Sequence, residues 1–152
     1  MSTRGFTVTR QYLGLDTAWR AEFTSRRGAA VQLGGGVGRT VGVNAEMDAL
    51  PGIGHGCGHN LIAMAGVAIA LAIRAALEKH DVPGTVILLG TPGAYGHHIE
   101  LLRYDDFTVL LYYCTRAVTS PPLTAEESGA GKQILLEKGA YKDMDVCIMY
   151  VL

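Results

Sequence analysis

Aromatic residues are scarce in this chain, at 7%. That leaves too few rings for a base-stacking platform. Charge of one sign is also missing. Thirteen Lys and Arg face 14 Asp and Glu, for a net charge of −1, which gives no footprint for nucleic acid or an anionic membrane. Cysteines are few. Cys57, Cys114 and Cys147 cannot pair completely and cannot form a disulfide scaffold. The start, Met1-Ser-Thr-Arg-Gly-Phe, lacks the apolar core of a signal peptide. A reducing, cytoplasmic setting is the expectation. Long apolar runs are absent too. Leu61 to Ile73 is apolar for 13 residues before Arg74, against the roughly 20 that a spanning helix needs. It predicts a buried helix of a soluble protein.

What is present points to a globular domain. Hydrophobic residues make up 49% and charged residues 18% of the 152, a composition that excludes intrinsic disorder. A domain this long buries roughly 68–70% of its unfolded surface. Glycine is abundant, 20 residues, or about 13% against a usual level of about 7%. Together with Val, Ile, Leu and Ala, it predicts buried strands joined by tight turns.

Phe6 to Leu13 alternates apolar and polar residues, as a half-buried strand does, and Thr17 to Thr24 can be its neighbour. Ala29 to Leu33 and Thr40 to Asn44 flank a glycine-rich stretch, and that spacing suits a hairpin. The same glycines do not make a phosphate loop. Leu33 holds the first Gly position, Arg39 the Lys position, and strand signal follows instead of helix. Gly129 to Gln133 also fails, because Gln133 replaces the Ser/Thr and Glu126 the first Gly.

Asn60 can cap a helix from Leu61 to about Lys79, and Asp81-Val-Pro83-Gly84 stops it. Thr85 to Gly90 is a short continuous apolar run, as in a strand covered on both faces. Strand 40–46, helix 61–79 and strand 85–90 then form a β-α-β unit with a parallel pair. A further helix runs from Gly131 to Lys138 and ends at Gly139. Met144 to Leu152 reads as another buried strand. The class is α/β, with a mixed sheet, a parallel β-α-β core and flanking helices. Residues 93–124 fit nowhere in this rhythm. They read as a long insertion.

Chemistry concentrates between Glu46 and Asn60. Glu46, Asp48, His55, Cys57 and His59 lie between the end of a strand and the start of a helix. Sites in open α/β sheets form at the carboxyl ends of strands. Thiolate, imidazole and carboxylate are the usual ligands of Zn²⁺ and related ions. Glycines on both sides of Cys57 let the backbone turn sharply. Position alone leaves alternatives open. A histidine here can be a surface or packed residue, and a cysteine before a buried helix can be a packed one. A helix N-terminus favours a thiolate whether it binds a metal or acts as a nucleophile with a histidine base.

Glu46-Met-Asp-Ala-Leu-Pro51 and His55-Gly-Cys-Gly-His-Asn-Leu-Ile-Ala63 resemble the M20 metallopeptidase family. The likeness is to its amidohydrolase and dipeptidase branch, including the peptidase M20 domain-containing protein 2 group. It continues through Leu89-Gly-Thr-Pro92, resumes at Ala125-Glu126-Glu127-Ser-Gly-Ala-Gly-Lys132 and runs to Asp145-Val-Cys-Ile-Met149. The resemblance implies a pair of divalent ions, Zn²⁺ or Mn²⁺. It implies hydrolysis of amide bonds in dipeptides or N-acyl amino acids, in a family whose members are often homo-oligomers. It implies Cys57, His59 and Glu127 as metal ligands. Glu126 would be the general base that activates water, and Asp48 the acid that supports the site. His55 would stand behind the ligands.

Three departures accompany the likeness. Residues 93–124 separate Thr91-Pro92 from the Ala125 segment, where the family joins the two directly; a retained intron is one origin. Val151 stands where the family has a histidine ligand. The family's lid or dimerisation domain and its last histidine ligand have no counterpart. The expectation is a fragment with an incomplete site and no appreciable hydrolysis of its own. Two other readings remain beside the hydrolase: an inactive fragment serving as a binding module, and a metal-free cysteine-histidine hydrolase.

Overall fold

The structure is a computed structural model and describes residues 1–33, 38–49, 54–91 and 131–150. Five strands form one mixed sheet: β1 (Thr7–Arg10), β2 (Trp19–Thr24), β3 (Arg39–Ala45), β4 (Gly84–Gly90) and β5 (Val146–Ile148). The spatial order is β1-β2-β4-β3-β5. β2 runs antiparallel to β1 and β4, whereas β3 runs parallel to β4 and β5. Among the described residues, three α-helices accompany them: α1 (Arg26–Leu33), α2 (His59–Lys79) and α3 (Gly131–Glu137).

β4 explains the layering. All seven of its residues are buried, so both of its faces must be covered. Val86 and Leu88 point into one core with Val43, Ala45, Val67 and Ala70. Ile87 and Leu89 point into the other, with Ala18, Leu135 and Ala140. This is the period of two expected of a strand. α2 covers the first face and α3 the second. Burying each large aliphatic side chain contributes about 1.5–3 kcal/mol, which is why the continuous apolar run at 85–90 sits at the centre.

The parallel pair expected from the sequence is present. β3 and β4 are adjacent from Arg39↔Gly84 to Ala45↔Gly90. α2 joins them and buries His59, Ile62, Ala63, Gly66, Val67 and Ala70, a stripe of helical spacing. The helix is longer than its apolar run. At 21 residues it is long and apolar enough, by length and composition alone, to cross a membrane, and 28% of its most apolar window is buried. Its inner face packs against the sheet, and Leu61 and Ala68 face outward.

Several local expectations are corrected. The hairpin of Ala29–Leu33 with Thr40–Asn44 does not form, because 26–33 is helix. Ser25 caps that helix: its Oγ accepts from Gly28 N at 2.9 Å and its carbonyl from Ala29 N at 2.8 Å. Asn60 is not the cap of α2. Gly58 is, in the left-handed conformation at φ 73°, and Asn60 lies inside the first turn. The strand at 6–13 is shorter than its alternation suggests. Gln11 and Leu13 adopt positive φ, so the chain leaves the sheet after Arg10. The expectations for 93–124, Gly34–Val37 and Val151 lie outside the described residues.

Candidate active site

β3 delivers two acids. Glu46 and Asp48 follow directly on its carboxyl end and are 2% and 7% exposed. Thr91, just past the end of β4, donates its backbone N–H to the carbonyl of Ala45 at 3.1 Å. The two parallel strands therefore end together. α2 starts at the same place. Gly58 N–H donates to the His55 carbonyl at 3.1 Å, and Leu61 and Ile62 donate back to the Gly58 carbonyl. The positive φ at Gly58 is costly for a residue with a Cβ. That turn sends His59 inward as the first helical residue, 6% exposed.

His59 stands between the two acids. Its Nδ1 is 2.7 Å from Asp48 Oδ1. A carboxylate only accepts, so Nδ1 carries the proton and donates it. Its Nε2 lies 3.4 Å from Glu46 Oε2. The other Glu46 oxygen takes the ammonium of Lys132, the second residue of α3. The segments Glu46–Pro51, His55–Ala63 and Ala125–Lys132 are thus joined through three of their residues.

Of the sequence-derived site residues, Asp48 and His59 are brought into contact. Cys57 is exposed on the turn, two residues before His59. Glu126 and Glu127 lie outside the described residues. Among the described residues no group of three or more His, Cys, Asp or Glu side chains is arranged to hold a metal ion. Among the described residues, His55 has no hydrogen-bond partner for either of its buried ring nitrogens, a condition rare enough to single it out. Sequence reasoning overlooked Lys132 and gave Glu46 no role. Glu46 was marked as one of the two acids after the strand, and Lys132 only by its place in the resembling motif.

The donor chemistry fits a divalent transition ion. Metal-binding histidines characteristically donate one ring N–H to a carboxylate, which orients the ring and directs the other nitrogen at the cation. His59 has that arrangement, with Asp48 as the orienting acid. Its Nε2, together with the Cys57 thiolate, would supply nitrogen and sulfur ligands of the kind zinc takes.

No family model matches the chain. Curated proteins do. Over 144 residues, 93% of this chain, it is 39% identical to the Xaa-Arg dipeptidase of Mus musculus. It is 39% identical over 112 residues to the Xaa-Arg dipeptidase of Homo sapiens, 72% of this chain. It is 28% identical over 156 aligned positions, 99% of this chain, to one subunit of the p-aminobenzoyl-glutamate hydrolase of Escherichia coli (strain K12). The chain spans 25%, 18% and 26% of these relatives respectively. The likeness supports a peptidase and amidohydrolase family of the M20 kind.

Proposed function

We propose that this chain carries part of the active site of a metal-dependent amide hydrolase acting on dipeptides or N-acyl amino acids. One observation carries the reading: the buried His59, tied through Nδ1 to Asp48 at 2.7 Å where β3 ends and α2 begins. The named activities of the relatives support it, since each cleaves an amide bond in a small substrate. Their names point to a dipeptide ending in arginine or to an aroyl-glutamate.

Cys57, His59 and Glu127 would hold the cation, Zn²⁺ or Mn²⁺. When bound, it supplies Lewis-acid polarisation of the scissile carbonyl and a more acidic water. The chain's own groups do the rest. Asp48 accepts the Nδ1 proton of His59, and Nε2, the nitrogen that faces Glu46, is the one that would turn to the cation. Glu126 takes a proton from water and passes it to the leaving amine, a role for which a carboxylate within hydrogen-bond reach suffices.

The test is a chimera. Residues 39–91 of this chain replace the matching segment of the mouse Xaa-Arg dipeptidase. The expected result is hydrolysis of Xaa-Arg dipeptides that falls at least a hundredfold, roughly the loss from removing a group essential to the reaction, in both Cys57→Ala and His59→Ala. Hydrolysis indifferent to both substitutions would overturn the assignment.

A further inference from the structure

The hydrolase reading gives roles to side chains at the end of β3 and leaves a cleft beside them unexplained. Asn44, Lys132, Gln133, Leu136 and Tyr141 line an open cleft of about 330 Å³ between β3 and α3, within the size range of small-molecule sites. Asn44 pairs with Leu89 in the sheet and so faces the α3 side, where Leu89 is buried. It is 8% exposed. Its Oδ1 accepts from Tyr141 Oη at 3.3 Å, which orients the carboxamide. Among the described residues no group accepts from its Nδ2. Gln133 is turned along α3 by its own bond to Glu137 at 3.0 Å. Lys132 puts its ammonium on Glu46, and Glu46 in turn lies against His59. The cleft therefore adjoins the candidate site through one shared side chain.

We propose that this cleft is an acyl-binding subsite, in which Asn44 Nδ2 donates to a carbonyl oxygen and the aliphatic part of the same group lies against Leu136. A carboxamide at this depth has little water to serve its N–H groups, and leaving them unmet is costly. A ligand oxygen relieves that cost. The unspent N–H groups only donate, so they select an oxygen that accepts. The apolar wall selects what that oxygen is attached to, because Leu136 is 63% exposed and covering it is favourable. Charge selects against a free carboxylate. Lys132 is already balanced by Glu46, so the cleft has no excess positive charge to attract one. A neutral acyl carbonyl on a short aliphatic chain meets all three conditions. The inference rests on the hydrolase reading for its meaning: such a group is the acyl side of an N-acyl amino acid, held beside the bond to be cleaved.

The competing account is that Asn44 only ties Tyr141 to the sheet, with water serving Nδ2. The experiment uses the 152-residue chain without metal, labelled with ¹⁵N. It follows the side-chain amide of Asn44 and the backbone amides of Gln133 and Leu136. The probes are N-acetyl-L-leucinamide, which is neutral, and N-acetyl-L-leucine, which is an acid, each titrated through the millimolar range. Asn44→Asp keeps an acceptor for Tyr141 and removes the donor. Leu136→Ser removes the apolar wall at an exposed position, so it stays informative if Asn44→Asp does not fold.

The expected result is a saturable shift of the Asn44 side-chain signals by both probes, at similar affinity. In folded Asn44→Asp, read at the backbone amides, binding should weaken about tenfold, on the order of the loss of one hydrogen bond. In Leu136→Ser it should weaken about tenfold as well, the low end of what a lost apolar contact costs. No shift at Asn44 with either probe would overturn the proposal. So would unchanged affinity in the variants, or binding of the acid alone, which marks a carboxylate site instead. The titration needs neither metal nor turnover, so the two readings fail separately. Saturable binding in a chain whose chimera hydrolyses nothing would support the subsite and overturn only the hydrolase reading. An active chimera with no shift at Asn44 would overturn the subsite alone.

Discussion

At the scale of the residue, the account turns on which atom of His59 is committed. Asp48 Oδ1 at 2.7 Å takes the Nδ1 proton, so the remaining nitrogen is a lone-pair donor while the ring is neutral. Asp48→Ala leaves the ring unoriented. Zinc affinity, measured by competition with a chromogenic chelator, should drop about 10–100-fold, with little change in secondary structure. Asp48 and His59 were both legible in the sequence, because acids after a strand and a histidine before a helix share one end of a parallel unit. Their contact was legible only as convergence. The Glu46–Lys132 pair was not, since no periodicity links residues 86 positions apart.

At the scale of the element, β5 is the most lightly held strand. Three residues pair with β3, and Asp145 fastens the junction. Its carboxylate accepts from Thr40 N at 2.7 Å and from Arg39 Nη1 at 2.8 Å. The backbone donor first, and the guanidinium second, hold its pKa below the usual carboxylate range. A depressed folded pKa gives stability that is fully present above the unfolded value of about 3.9. It is lost as pH falls through the folded value. Asp145→Asn should therefore flatten the acid side of the stability curve, with the parent and variant converging at low pH. Denaturant midpoints across acid pH check this; parallel curves would show that Asp145 does not link pH to β5.

Element types were read well where one signal dominated. The run at 85–90 and the helix behind Gly58 follow directly from composition and length. α1 was misread because its capping signal is a lone Ser25, with no acid three residues later to complete a capping box. Its apolar residues then fit a strand as well as a helix. Gly58 takes the cap position in the left-handed conformation that glycine tolerates, and the helix begins at His59, so Asn60 falls inside the first turn.

At the scale of the whole molecule, the sheet has two covered faces. α2 lies on one side and α3 on the other, with neighbours Leu88 and Ile87 at 0% and 1% exposure. Both Leu88→Ala and Ile87→Ala should cost about 2–5 kcal/mol, read as a lower urea midpoint at unchanged slope. A sheet covered on one face would make one of the two cheap. The layering matters for the site because the acids, α2 and α3 meet only where both faces are packed. Glu46 and His59 sit on the α2 end of that arrangement, and Lys132 reaches them from α3.

The central claim is that Cys57 and His59 bind one divalent ion. Cys57 is exposed, while burial pushes the Cys147 thiol up from its ordinary range and makes it the slower reference. The measurement is the rate of iodoacetamide alkylation at each cysteine, followed by peptide mass spectrometry with and without Zn²⁺. The account predicts that zinc slows reaction at Cys57 and that His59→Ala removes the protection, with Cys147 changed little. Alkylation of Cys57 at the same rate with and without zinc, or protection that survives His59→Ala, would contradict it.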